Sequence, residues 1–297
     1  MERVRLTIEH EEAGYVEEKL GMEFYSQLGG MRTIAEFRLD AVERAGTLYD
    51  AAVSRDADEP EVTGLGLLVL QRTLLACEDL GALIHALVEK PHWDRFTSYS
   101  MRELDETFSD LLARRLQVDR LWLLPSDEII DGEEGRNELQ RHAMRNLREI
   151  STRELEREVD IVAGFWVFHR RSIKNVMHGF SLVPANLLLD PPGAGVLSEQ
   201  VDAAQSRPFA ASLVSEVDEE ARIAKTTTYT VDLTLEGINA VRTIAATASN
   251  LLARLAVARR FAVETKHRYV LGHDFADRLP SAERESLVGI IEGPGDD

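Results

Sequence analysis

Arg171 and His178 are the residues of this chain whose types and spacing could do chemistry. They lie in residues 165–184, a stretch that reads as the end of a long helix closed at Gly179, with Pro184 following. Seven residues make two helical turns, so the two side chains share one face. Arginine can hold a phosphate, and histidine can move a proton near neutral pH. A structural reading stands beside this one. A histidine just before Gly179 suits a helix C-terminus, where the partial negative charge favours it and glycine commonly ends the helix. Arg170 and Arg171 could equally be solvated or pair with acids on a neighbouring helix.

The elements that would position this pair are helical. Residues 10–28 and 31–55 read as two amphipathic helices separated by the Gly29-Gly30 break. Residues 62–90 form a very apolar helix, expected to be central and buried all round in its first half. Lys90-Pro91 ends it. Ser100 and Glu103 form a capping box ahead of a helix with Leu104, Phe108, Leu111 and Leu112 on its apolar face. Residues 121–125 are a short apolar connector, and residues 127–134 an acidic, solvated loop without calcium-loop spacing.

From residue 134 to about 181 the pattern is helical. Its first half is charged and its second half apolar and aromatic, and a bend or break is expected at 150–153, where Ser151 and Thr152 weaken the helix. Phe165, Trp166 and Phe168 are expected in the core, and His169 is expected to pack among them. Residues 184–208 are rich in Pro and Gly. Two β-like runs follow, 209–217 and 226–235, and together they predict a small hairpin. Residues 236–268 return to helix. The fold class is therefore mainly α, a helical bundle with a small β-hairpin excursion. Its parts are an N-terminal helix (1–30), a bundle (31–183), the loop and hairpin excursion (184–235), a helix completing the bundle (236–280) and a tail (281–297).

Composition narrows the partners. The net charge is -18 and the isoelectric point about 4.9. Such a charge repels nucleic acid at long range, although it leaves room for a local basic patch. Only five cations are lysine, and arginine usage with abundant Ala, Val and Glu suggests a GC-rich bacterial genome. Cys77 is the single cysteine, so no intrachain disulfide can form, and it is expected in the core. No charged leader precedes an apolar run, and no stretch of about 20 apolar residues occurs. A cytoplasmic protein without membrane contact is expected. Di-metal bundles need paired Glu-x-x-His motifs on facing helices. Here Glu89 to His92 contains Pro91, which spoils the helical face, and leaves Glu264 to His267 without a mate. No metal and no cofactor is expected.

The run Asn175-Val176-Met177-His178-Gly179-Phe180, together with Arg171, resembles the late-helix signature of bacterial HEPN-like proteins. Glu78, in Cys77-Glu78-Asp79-Leu80, resembles the acidic spot on an early helix of that family. The resemblance implies a HEPN-like helical bundle and a metal-independent ribonuclease or RNA-binding activity in a stress or defence setting. It assigns His178 as acid or base on an RNA 2′-hydroxyl and Arg171 to the scissile phosphate, with Asn175 and Glu78 in support. It also implies a homodimer that brings two such pairs together. The family often has Asn, Asp or His after the arginine and Lys before His-Gly, where this chain has Ser172 and Met177. Those departures and the net charge favour the alternative, a non-catalytic helical module that binds a protein partner or serves as a scaffold. Similar Arg-to-His spacings occur at Arg136/His142, Arg260/His267 and Arg268/His273. Arg136 is the main rival because Asn137 follows it.

Overall fold

A computed structural model describes the backbone of residues 6–9, 12–89, 99–132, 135–177, 183–184, 209–218, 223–264, 268–271 and 278–287. Side chains are described over 28–88 (Gly29 and Glu59 excepted), 99–132, 135–169, 233–260 and 278–287. The protein is mainly helical. Eight helices lie among the described residues: α1 (Glu12–Ser54), α2 (Glu59–Glu89), α3 (Met101–Leu112), α4 (Val118–Leu121), α5 (Asp127–Gly132), α6 (Glu138–Met177), α7 (Leu235–Glu264) and α8 (Ser281–Leu287). Short strands are β1 (Leu6–Glu9), β2 (Val183–Pro184), β3 (Phe209–Asp218), β4 (Ile223–Asp232) and β5 (Arg268–Leu271). The backbone of β1 runs antiparallel to β5, and the other three strands follow the order β2-β3-β4. The connection between β3 and β4 lies outside the described residues.

The chain divides into two compact units. One comprises Met1–Ala35, Asp79–Ala163 and Asn250–Asp297, the other Glu36–Glu78 and Gly164–Ser249. The long helices α1, α2, α6 and α7 each contribute a segment to both.

Helix α1 passes through Gly29-Gly30 without the expected break. A glycine costs about 1 kcal/mol relative to alanine in a helix. Leu28 and Met31, both buried, hold the segment on either side. The buried residues of α1 then recur at steps of three and four through Val42, Ala45, Tyr49 and Ala52.

In the unit containing Glu36–Glu78, α7 is tied to α1 and α2. The Tyr49 hydroxyl donates to the Leu233 carbonyl, and Thr73 Oγ1 donates to the Val241 carbonyl at 3.4 Å. Arg242 donates to Glu43 at 2.5 Å and to Asp50 at 3.0 Å. Its hydrogen bond to Glu43, aided by the charge of both acids, holds the guanidinium above the usual arginine value. The guanidinium passes over Gly46, where an added Cβ would lie 2.8 Å from Arg242 Nε. Both acids are nearly half exposed, so solvent weakens the clasp. Arg242→Ala is expected to cost about 1–2 kcal/mol in urea unfolding, with Arg242→Lys recovering only part because lysine lacks the fork. A fully stable Arg242→Ala would show that the clasp contributes nothing.

In the other unit the wholly buried stretch of α2 is residues 80–86. All-round burial thus falls in the second half of this helix, not the first, where Leu65, Leu67 and Leu68 keep partial exposure. The reason is local: Gly81 lets the Phe108 ring of α3 lie against the backbone. The expected capping box starts α3, with Glu103 N–H donating to Ser100 Oγ at 3.3 Å and Ser100 N–H to Glu103 Oε2 at 2.5 Å.

The acidic segment 127–134, expected as a solvated loop, instead contains α5. Arg148 donates to Asp127 at 2.8 Å and Arg145 to Asp131 at 2.6 Å. Ile130 is buried with Met144, Leu147, Leu279 and Leu287. Neutralised acids and one buried isoleucine are enough to make this stretch helical. Leu287 belongs to α8, which forms inside the segment read as tail.

Candidate functional site

Helix α6 carries the candidate residues and runs unbroken from Glu138 to Met177. The break expected at 150–153 is absent. Serine and threonine cost only about half a kcal/mol each in a helix, while Leu147, Leu155 and Val159 bury their side chains around them. The N-terminus is held by a reciprocal cap that the sequence reading missed. Gln140 N–H donates to Asn137 Oδ1 at 2.9 Å, and Asn137 N–H to Gln140 Oε1 at 3.0 Å. The Asn-x-x-Gln spacing was its available signal.

That cap accounts for the rival pair. Asn137, which made Arg136/His142 attractive, caps the helix. His142 Nε2 stands 3.6 Å from Glu283 Oε1, and Asn146 Nδ2 donates to the other Glu283 oxygen at 2.9 Å. These contacts connect α6 with α8. Among the other rivals, His267 and His273 lie outside the described residues.

Most acids in the middle of α6 have arginine partners. Arg114 grips Asp160 with two bonds, at 2.6 and 2.7 Å. Arg254 donates to Glu158 at 2.7 Å, and Arg278 pairs with Glu154. This ladder pairs the acids at the middle of the helix. Past Asp160 the helix changes character, to Phe165, Trp166, Phe168 and His169.

Trp166 is fully buried, as expected, and Cys77 likewise. Phe165 is half-buried. Phe168 is 66% exposed, which corrects its expected place in the core. Its register puts it on the opposite side of the helix from the buried Val159–Val162–Trp166 face, and hydrophobicity alone could not show that. His169 packs against Phe165 and Phe168, with ring centroids 4.6 and 4.9 Å away.

Burial pushes the His169 pKa down from 6.5 to about 4, so the ring is neutral at pH 7. The unfolded chain takes up this proton near 6.5 and the folded one only near 4. Stability should therefore fall as pH drops from about 6.5 toward about 4, by on the order of 2 kcal/mol from this group, and change no further below. Urea unfolding of wild type and His169→Gln at pH 7.5 and pH 4.5 checks this. The wild type should lose more stability than the variant; equal losses would contradict the assignment.

Arg171 and Asn175 lie on the last turns of α6, one turn apart on one helical face. Their side chains, and His178 altogether, lie outside the described residues. Glu78 lies on α2, half-buried, in the same compact unit as Arg171 and Asn175. The backbone thus puts Arg171 and Asn175 on one face and leaves their relation to Glu78 undefined.

Sequence reasoning also passed over His85. It is buried on α2, with Nδ1 3.4 Å from Thr107 Oγ1. Its signal was a lone imidazole inside the apolar run Leu83-Ile84-His85-Ala86-Leu87.

Among the described residues, no group of three or more His, Cys, Asp or Glu could hold a metal ion. No helix of those residues is long and apolar enough to cross a membrane. Comparison with known protein families, with curated proteins and with solved structures finds no match.

Proposed function

We propose that this chain is a HEPN-like helical bundle, with a β-hairpin rising from it, that binds RNA or cleaves it without a metal ion in a bacterial stress or defence setting. What supports this reading is the unbroken α6, on whose last turns Arg171 and Asn175 stand one turn apart, with His178 three residues further on in the sequence. In this reading Arg171 holds the scissile phosphate and stabilises the charge that develops on it. His178 takes the proton of the 2′-hydroxyl or returns one to the leaving oxygen. Asn175 and Glu78 support the pair, and two protomers bring their sites together in the cytoplasm.

A second reading is favoured by the net charge of -18 and by Ser172 and Met177 at the motif. It makes the chain a non-catalytic helical module that binds a protein partner. A salt titration of RNA binding separates the two. Phosphate contacts give an affinity that falls steeply with salt. An interaction module gives no RNA affinity to titrate.

A further inference from the structure

We propose that Phe168 is a stacking platform for an unpaired base of single-stranded RNA, set one turn before the phosphate contact at Arg171. This inference rests on the RNA reading above and names its substrate class.

Three observations converge on one stretch of helix. Phe168 presents 66% of its surface to solvent. Large aromatics are seldom left so open, and an exposed ring face is what a splayed base stacks upon. By register, Phe168, Arg171 and Asn175 stand at i, i+3 and i+7 of α6, so they share a face. Ile161, 43% exposed, continues this face one heptad upstream.

The third observation is charge. Residues 161–189 contain no Asp or Glu, although acids make up 52 of the 297 residues. The same stretch holds Arg170, Arg171 and Lys174. By register Arg171 stands on the Phe168 face of the helix, whereas Arg170 and Lys174 fall on the Val162–Trp166 side. A cation one turn from an exposed aromatic, in an acid-free stretch, matches a ligand with both a phosphate and a planar base. It matches a purely apolar protein surface poorly.

His169 fits this arrangement. It packs edge-on to Phe168 and is neutral at pH 7. It therefore buttresses the ring without adding charge to the platform.

A duplex keeps its bases stacked on one another and cannot use the ring, so the platform selects single strands. The test uses the full chain and a labelled 12-nucleotide RNA, alone or annealed to its complement. Wild type, Phe168→Ala, Phe168→Trp and Arg171→Ala are compared over a salt series. The expected result is preference for the single strand and binding about tenfold weaker in Phe168→Ala, with the salt slope unchanged. Phe168→Trp keeps affinity. Arg171→Ala loses affinity and reduces the slope by about 0.7. Unchanged urea midpoints show that the variants fold.

If wild type binds RNA but Phe168→Ala binds equally well, the platform is overturned and the RNA reading stands. Equal binding of duplex and single strand overturns it in the same way. If wild type binds no RNA at all, the functional reading itself is overturned and the platform with it.

Discussion

Gly81→Ala is expected to destabilise the protein by about 2–3 kcal/mol, as overpacking of a tight core does. A Cβ at this position would lie 2.6 Å from Phe108 Cε2 and 2.8 Å from Cζ. Neither partner can yield easily. Phe108 is fully buried, and residues 80–86 of α2 are buried on every side. Helix α3 is fixed at its start by the Ser100–Glu103 box. The ring must therefore move with its helix or leave its rotamer. Helix propensity alone would favour alanine by about 1 kcal/mol, so the sign of the result separates packing from propensity. Gly64 provides the contrast: it is exposed on the same helix, and an added Cβ there meets nothing within 4 Å. Gly64→Ala should stabilise by about 0.5–1 kcal/mol. Urea unfolding of both variants checks the pair; destabilisation of similar size in both would mean that the Gly81–Phe108 contact is not what decides.

The largest functional effect of the proposed mechanism is expected at Arg171 and His178. His178→Ala should lower RNA cleavage by about 10²–10⁴-fold, the usual contribution of a positioned acid or base. Arg171→Ala should fall by a similar factor, because in the proposed mechanism it removes the group that meets the developing phosphate charge. The double variant should be little worse than either single one, since residues that act as a unit are not additive. Arg171→Lys should recover little, because lysine holds a phosphate at one point where arginine can grip two oxygens. Cleavage that survives His178→Ala would remove that residue from the mechanism.

The main helices could be read from sequence because their signals are local. Ser100 and Glu103 are three residues apart, and the apolar spacing of α2 and α7 is visible within each segment. Where reading failed, the deciding term was burial or a charge partner that the local pattern does not show. Gly29-Gly30 looks like a stop, yet burial of Leu28 and Met31 carries α1 through it. Residues 127–132 look like a solvated acidic loop, but Arg145 and Arg148 neutralise two of the acids and make room for α5. Ser151 and Thr152 weaken α6 by less than its neighbours stabilise it.

Phe168 shows the same limit at the candidate site. Its apolar character says nothing about which side of α6 has a neighbour, and the exposed ring is seen only once the helix is packed. Helical period alone put Arg171 and His178 on one face in the sequence; of that pair only the Arg171 backbone lies among the described residues. How Glu78 relates to them depends on tertiary packing, which no spacing encodes.

The central claim is that Arg171 and His178 cleave RNA without a metal. The direct measurement is incubation of a mixed RNA pool in EDTA with wild type and with Arg171→Ala/His178→Ala, followed by analysis of the fragments and their ends. The account predicts cleavage by the wild type alone, leaving 2′,3′-cyclic phosphate ends from attack by the 2′-hydroxyl. Absence of cleavage by folded wild type, or equal cleavage by both proteins, would contradict it.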